Sequence, residues 1–161
     1  MKDFKDKHKG KTFVIFGSGP TLLEWDDSFC KDAIKVGCNT VFMHKPDLDY
    51  YLIQDSGLVT GSENGYCRFK KKYDEYKPSI AKLYGVSCFS NGKLHGHSLT
   101  PRDVIDGGAI KYLLGEDFTE FYSVIFSCLQ FARLCGAGKI IMVGCDVTNN
   151  IRAGEENEHN G

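Results

Sequence analysis

The sequence predicts an α/β protein, a Rossmann-like three-layer α/β/α fold with a mainly parallel sheet. Three observations carry this. Thr12-Phe13-Val14-Ile15-Phe16 is an apolar run that stops abruptly at Gly17-Ser18-Gly19-Pro20, the form of a first parallel strand feeding a helix N-terminus. Short apolar runs then recur with intervals long enough for helices or crossovers. Finally, Lys139-Ile140-Ile141-Met142-Val143 is almost continuously apolar, the composition of a strand at the centre of a parallel sheet.

In chain order, the lysine-rich start is followed by a first strand over Thr12–Phe16. Pro20 to about Ala33 reads as a helix, with Leu22, Leu23, Trp25 and Phe29 available for packing. Ile34-Lys35-Val36-Gly37-Cys38 is a second strand ending at Asn39. Pro46 and Asp47 break the chain before a third strand, Tyr50–Ile53, which ends at Gln54-Asp55. Ser56 to Asn64 is a glycine- and serine-rich loop, and Arg68 to Tyr73 is a basic run read as a solvated helix face. Ile80–Val86 supplies a fourth strand. Thr100-Pro101-Arg102-Asp103 is a helix start that Gly107-Gly108 soon interrupts. Glu120 to Cys135 is apolar on most faces and is expected to be a buried helix, ended by Gly136 and Gly138. From Val147 the chain turns polar, and this tail is expected to be mobile or ordered only by a ligand or partner.

At 161 residues the chain is expected to form a single domain, 1–161. A net charge of −1 gives no general attraction to nucleic acid or to an anionic membrane. No apolar run approaches the roughly 20 residues that span a bilayer, and the start lacks the apolar core of a secretory signal, so a cytoplasmic location is expected. Seven cysteines form no Cys-x-x-Cys pair, and Cys38, Cys128 and Cys145 sit in apolar segments. They read as reduced thiols acting as small hydrophobes, with neither a disulfide framework nor a metal site. His95-Gly96-His97 lies in a polar stretch and is weak evidence for zinc.

In doubly wound sheets ligands bind at the carboxyl ends of the strands. Four polar clusters fall there: Gly17-Ser18-Gly19 with Pro20, Asn39, Gln54-Asp55, and Asp146. Glycines 17 and 19 can take positive φ and let a ligand approach the backbone closely, and Pro20 suits the first helical position. The helix N-terminus behind them favours a phosphate. The dinucleotide fingerprint is broken, because Leu22 replaces its third glycine and Asn39 stands where an acid is expected. The lysine and hydroxyl residue of a P-loop are missing as well. Asp55 and Asp146 suit a metal or hydroxyl ligand, or the capping of a turn. Ser123 opens the buried helix, either near the ligand or as a cap. His159, in the polar tail, is a candidate base, with a plain surface histidine as the competing reading.

On these residues the chain resembles a known group. Gly17-Ser18-Gly19-Pro20-Thr21-Leu22 resembles the G-x-G-P-S-L opening of bacterial CMP-sialic-acid-dependent sialyltransferases. It is also similar to the opening of 6-hydroxymethylpterin diphosphokinase-like proteins, whose relatives include flagellin-modification accessory factors. Cys38-Asn39 resembles the C-N pair of the sialyltransferases, and Ser123 through Gly144-Cys145-Asp146 looks like the shared helix, strand and G-x-D ending. The resemblance implies that Gly17, Ser18, Gly19 and Asn39 hold a nucleotide, that Ser123 lies near its phosphates and that Asp146 borders the pocket. The family's catalytic histidine lies well downstream of the G-x-D. Only His159 follows here, which leaves a piece of a longer protein or a reduced binding module as expectations.

The leading expectation is therefore a glycosyltransferase-like protein that binds a nucleotide-activated sugar, with Asp146 and His159 as candidates for the catalytic groups. The alternatives are Mg²⁺-dependent diphosphoryl transfer from ATP to a pterin-like alcohol, with Asp55 and Asp146 as metal ligands, and a non-catalytic nucleotide-binding module. The sequence leaves the oligomeric state open.

Overall fold

The computed structural model describes residues 2–53, 69–85, 97–99 and 123–146. They form an α/β fold on a parallel sheet of six strands in the order β5-β4-β3-β2-β1-β6. The strands are β1 (Thr12–Phe16), β2 (Ile34–Cys38), β3 (Tyr50–Ile53), β4 (Ala81–Gly85), β5 (His97–Leu99) and β6 (Lys139–Val143). All five pairings are parallel, with Phe16 opposite Gly37 on one side and opposite Val143 on the other. Two α-helices are described, α1 (Lys70–Glu75) and α2 (Val124–Leu134). Among the described residues, no helix is long and apolar enough to cross a membrane.

Strands β1 and β3 are the apolar centre, with Phe13 to Phe16 and Tyr50 to Ile53 essentially without solvent contact. Helix α2 lies on this centre, burying Val124, Cys128, Phe131 and Ala132. Its C-terminus is a complete Schellman motif: Gly136 takes φ +81° and its N–H donates to Arg133 O, while Ala137 N donates to Ala132 O. The connection to β6 is short, so α2 runs against the strand direction and its N-terminus stands at the carboxyl edge of the sheet. The helix spans about 16 Å at its ordinary rise.

Four expectations are corrected. The stretch from Pro20 to Ala33 is two 3₁₀ helices, Pro20–Glu24 and Asp27–Cys30, and not one α-helix. Trp25 is extended, and Asp26 accepts the Ser28 N–H at 2.8 Å, so the local side-chain bond wins over helix continuation. Leu23 and Phe29 consequently face solvent at 59% and 75% exposure. His97 belongs to β5, too short a strand for a periodicity to reveal. The predicted strand over Ile80–Val86 is found as β4 but begins at Ala81, Ile80 N instead donating to Asp49 O; Val86 lies outside the described residues. Lastly, β6 is the edge of the described sheet and not its centre, and Met142 is 46% exposed. An apolar run looks alike in either position; pairing partners decide it.

The basic run does form a solvated helix face. In α1, Lys71 and Lys72 are exposed, Lys70 pairs with Asp74 one turn on, and Tyr73 is the buried residue. The expectations for Ser56–Asn64, for the helix from Thr100 and for the tail after Val147 lie outside the described residues.

Candidate functional site

The strand order reverses between β1 and β6: from β1 the chain winds one way through β5 and then returns to β1's other side. Ligands of open α/β sheets bind at the carboxyl ends beside such a reversal. Here that position is made by the turn after β1, the turn after β6, the end of β2 and the N-terminus of α2.

The two turns are sewn together. Gly17 N donates to Val143 O at 2.8 Å and Gly19 N to Gly144 O at 2.7 Å. A Cβ on Gly17 would collide with the Gly144 carbonyl oxygen, and one on Gly19 would lie 2.8 Å from that same oxygen. Gly144 itself has φ +64°, and its Cβ would stand 2.5 Å from Gly17 O. Gly19 sits at φ −73°, and the left-handed conformation belongs to Gly144 across the gap. Glycine is required here because two backbones touch.

Pro20 opens the 3₁₀ helix, as its fixed φ suits. The anion-favouring position behind it is filled by this chain's own Asp146. Thr21 N donates to Asp146 Oδ2 at 3.1 Å, and Thr21 Oγ donates to Oδ1 and Oδ2 at 2.8 and 2.7 Å. Asp146 thus clasps the turn of β1. Thr21 and Gly144 were not singled out as site residues. Their bond partners lie 125 residues away in the first case, and only the complementarity of a hydroxyl and an acid hints at the match.

Asn39 follows β2 and opens the 3₁₀ helix Asn39–Met43 in the left-handed region, φ 47°, where asparagine is tolerated better than most residues. Its carbonyl accepts a hydrogen bond from Tyr51 Oη, which pins the backbone. Its side-chain Oδ1 is buried and has no hydrogen-bond partner in the structure. A buried acceptor left unmade costs about 1–3 kcal/mol, and the Tyr76 hydroxyl is in the same position. Ser123 is the N-cap of α2; its side chain is exposed and makes no cap bond, while its carbonyl accepts from Phe126 N at 3.1 Å. Ser18 is half-buried in the β1 turn. Gln54, Asp55 and His159 lie outside the described residues.

Thiols under the site are poor nucleophiles. Burial pushes the Cys145 thiol up to about 11, and Cys128, fully enclosed beside Cys38, is pushed well above the usual thiol range. They serve as packing.

Comparison of the chain with family models, with curated proteins and with solved structures finds no match to any of them.

Proposed function

We propose that this chain is a glycosyltransferase-like protein that binds a nucleotide-activated sugar of the CMP-sugar kind, on a three-layer Rossmann-like domain. What supports the reading is the convergence at the β1–β6 reversal of the glycine turn, the buried Oδ1 of Asn39 and the N-terminus of α2, whose N-cap Ser123 makes no side-chain cap bond. Since Gly17 and Gly19 donate to Val143 and Gly144, the phosphate goes to the first turn of α2 beside Ser123. Asn39 Oδ1 accepts from the nucleoside, and Gly17 to Pro20 form the wall against which it packs.

In this reading an acceptor hydroxyl attacks the sugar carbon that carries the nucleotide. The new C–O bond forms as the bond to the phosphate oxygen breaks, and the nucleotide leaves as an anion held by the helix N-terminus. The hydroxyl proton passes to a base, for which Asp146 and His159 are the candidates. A second reading, diphosphoryl transfer from ATP, is favoured by one observation, a carboxylate on the border of the site. Asp146 would then exchange Thr21 for Mg²⁺.

The test is a thermal-shift series with CMP, CDP, UDP, GDP, ATP and NAD, each with and without Mg²⁺. A ligand that binds only the folded state raises Tm. A selective, metal-independent shift by cytidine nucleotides is the expected result. A shift only by ATP with Mg²⁺ moves the assignment to phosphoryl transfer, and binding without turnover of any sugar donor makes the protein a non-catalytic module.

A further inference from the structure

Strand β4 carries a lysine where its surroundings carry rings. Lys82 stands opposite Tyr51 of β3, on the face where Tyr73 of α1 packs against Tyr51. Its ammonium lies 4.3 Å from the centre of the Tyr73 ring and 5.8 Å from that of Tyr76. It donates to Tyr73 O at 2.9 Å. Phe42 and Tyr51 back the cluster, 5.0 and 5.4 Å from the Tyr76 ring, and the Tyr76 hydroxyl is buried with no hydrogen-bond partner. Two other lysines are as well shielded, Lys35 and Lys45, and each pairs with both Asp27 and Asp47. Lys82 has no such partner among the described residues, and Asp74 near it is already bound by Lys70. Burial, the largest influence, lowers its pKa from 10.5; Asp74 opposes this, while Lys70 and Lys77 add to it. A lysine desolvated in this way keeps more neutral, nucleophilic amine at neutral pH than a solvated one.

We propose that Lys82 is a covalent capture site for small apolar aldehydes, which it holds as a Schiff base against the rings of Tyr73 and Tyr76. The neutral Nζ adds to the carbonyl carbon as the C=O π pair moves to oxygen. Both N–H protons then leave with that oxygen as water while the C=N bond forms, so nothing is oxidised or reduced. The surroundings suit an imine better than an amide. A protonated imine keeps one N–H for Tyr73 O and a positive charge over the Tyr73 ring, whereas acylation would remove the charge. The rings accept the apolar body of the aldehyde. Lys82 is the second residue of a parallel strand, so this site lies away from the carboxyl edge and is independent of nucleotide binding.

Reductive trapping on the full chain decides the matter. Limiting butyraldehyde is added with cyanoborohydride, which delivers hydride to the imine carbon, and peptide mass mapping ranks the lysines. At about pH 7, Lys82 is expected to be alkylated at least about threefold faster than Lys71 and Lys72, which are exposed on α1. The lead is expected to shrink below about twofold near pH 11, where all the lysine amines are largely neutral. It is expected to vanish in concentrated urea, where the ring cluster is dispersed. Alkylation of Lys82 no faster than that of Lys71 and Lys72 at neutral pH overturns the proposal. So does a lead that persists in urea, since local sequence and not the cluster would then cause it.

Discussion

The two edges of the sheet are built on opposite terms. At the amino edge, the lysine-rich start closes over the structure and leaves little unengaged. Asp6, His8 and Gly10 donate their backbone N–H groups to the carbonyls of Leu134, Cys135 and Gly136, which satisfies the C-terminal end of α2. Phe4 packs edge-on against Phe131 and Tyr50, and His8 Nε2 meets Tyr50 Oη at 2.7 Å. At the carboxyl edge the opposite holds. The N-cap Ser123 of α2 makes no side-chain cap bond, Asn39 holds a left-handed backbone and a buried Oδ1 without a partner, and a carboxylate clasps the turn of β1. Left-handed backbone occurs at both edges, at Asp6 (φ 55°) as at Asn39 (φ 47°), so what sets the carboxyl edge apart is the meeting of two glycine turns and a carboxylate beside a strand reversal.

The comparison is broken most severely by Phe131→Ala. It opens a cavity between Phe4 and Tyr50, and chemical denaturation is expected to register a loss of about 3–5 kcal/mol. The fraction that stays folded is expected to keep its nucleotide affinity; a large change in affinity would mean that the edges are not separate. Next comes a pair of glycines. Gly17→Ala drives a methyl into the Gly144 carbonyl and is expected to cost about 2–3 kcal/mol. Gly10→Ala, at φ +76° with open space around it, is expected to cost only about 1 kcal/mol. Equal costs would show that the β1 and β6 turns do not press on one another.

Asp146→Asn gives a smaller effect and a diagnostic one. Loss of the charged acceptor for Thr21 is expected to lower stability by about 1 kcal/mol, and removal of the resident negative charge is expected to tighten CMP binding in calorimetry. Weaker binding instead would make Asp146 a direct ligand contact or a metal holder. The smallest effect belongs to His8. Burial, then the neighbouring Lys7, lowers its pKa from 6.5, so the fold prefers the neutral ring. Its contribution is complete above pH 6.5 and is lost as pH falls through the lowered folded value. Tm measured downward from neutral pH is expected to fall in the wild type and to flatten in His8→Gln.

Much of the central sheet was legible in the sequence, because β1, β2 and β3 are each bounded by local chemistry: a glycine turn, an asparagine, and the Pro46-Asp47 break. The helix expected from Pro20 failed for a local reason too, since Asp26 supplies its own cap two residues on. The roles of the glycines were harder. Gly17 and Gly19 have the same appearance whether they admit a phosphate or a second backbone, and only the partner, Gly144, tells them apart. Likewise the Thr21–Asp146 clasp and the edge position of β6 depend on which strands become neighbours, and that pairing is not written in any single segment. The amino-edge clamp was hidden for a different reason: a run of lysines reads as solvent-facing, while the bonds it makes come from its backbone.

The most direct measurement is a CMP titration followed by amide chemical-shift changes across the whole chain. Changes concentrated at Gly17 to Thr21, Asn39 and the first turn of α2 from Ser123, with His8, Gly10 and Gly136 unmoved, are the expected result. Saturable binding with its largest changes at the amino edge, or no change with CMP at any residue, would contradict the assignment of the carboxyl edge as the nucleotide site.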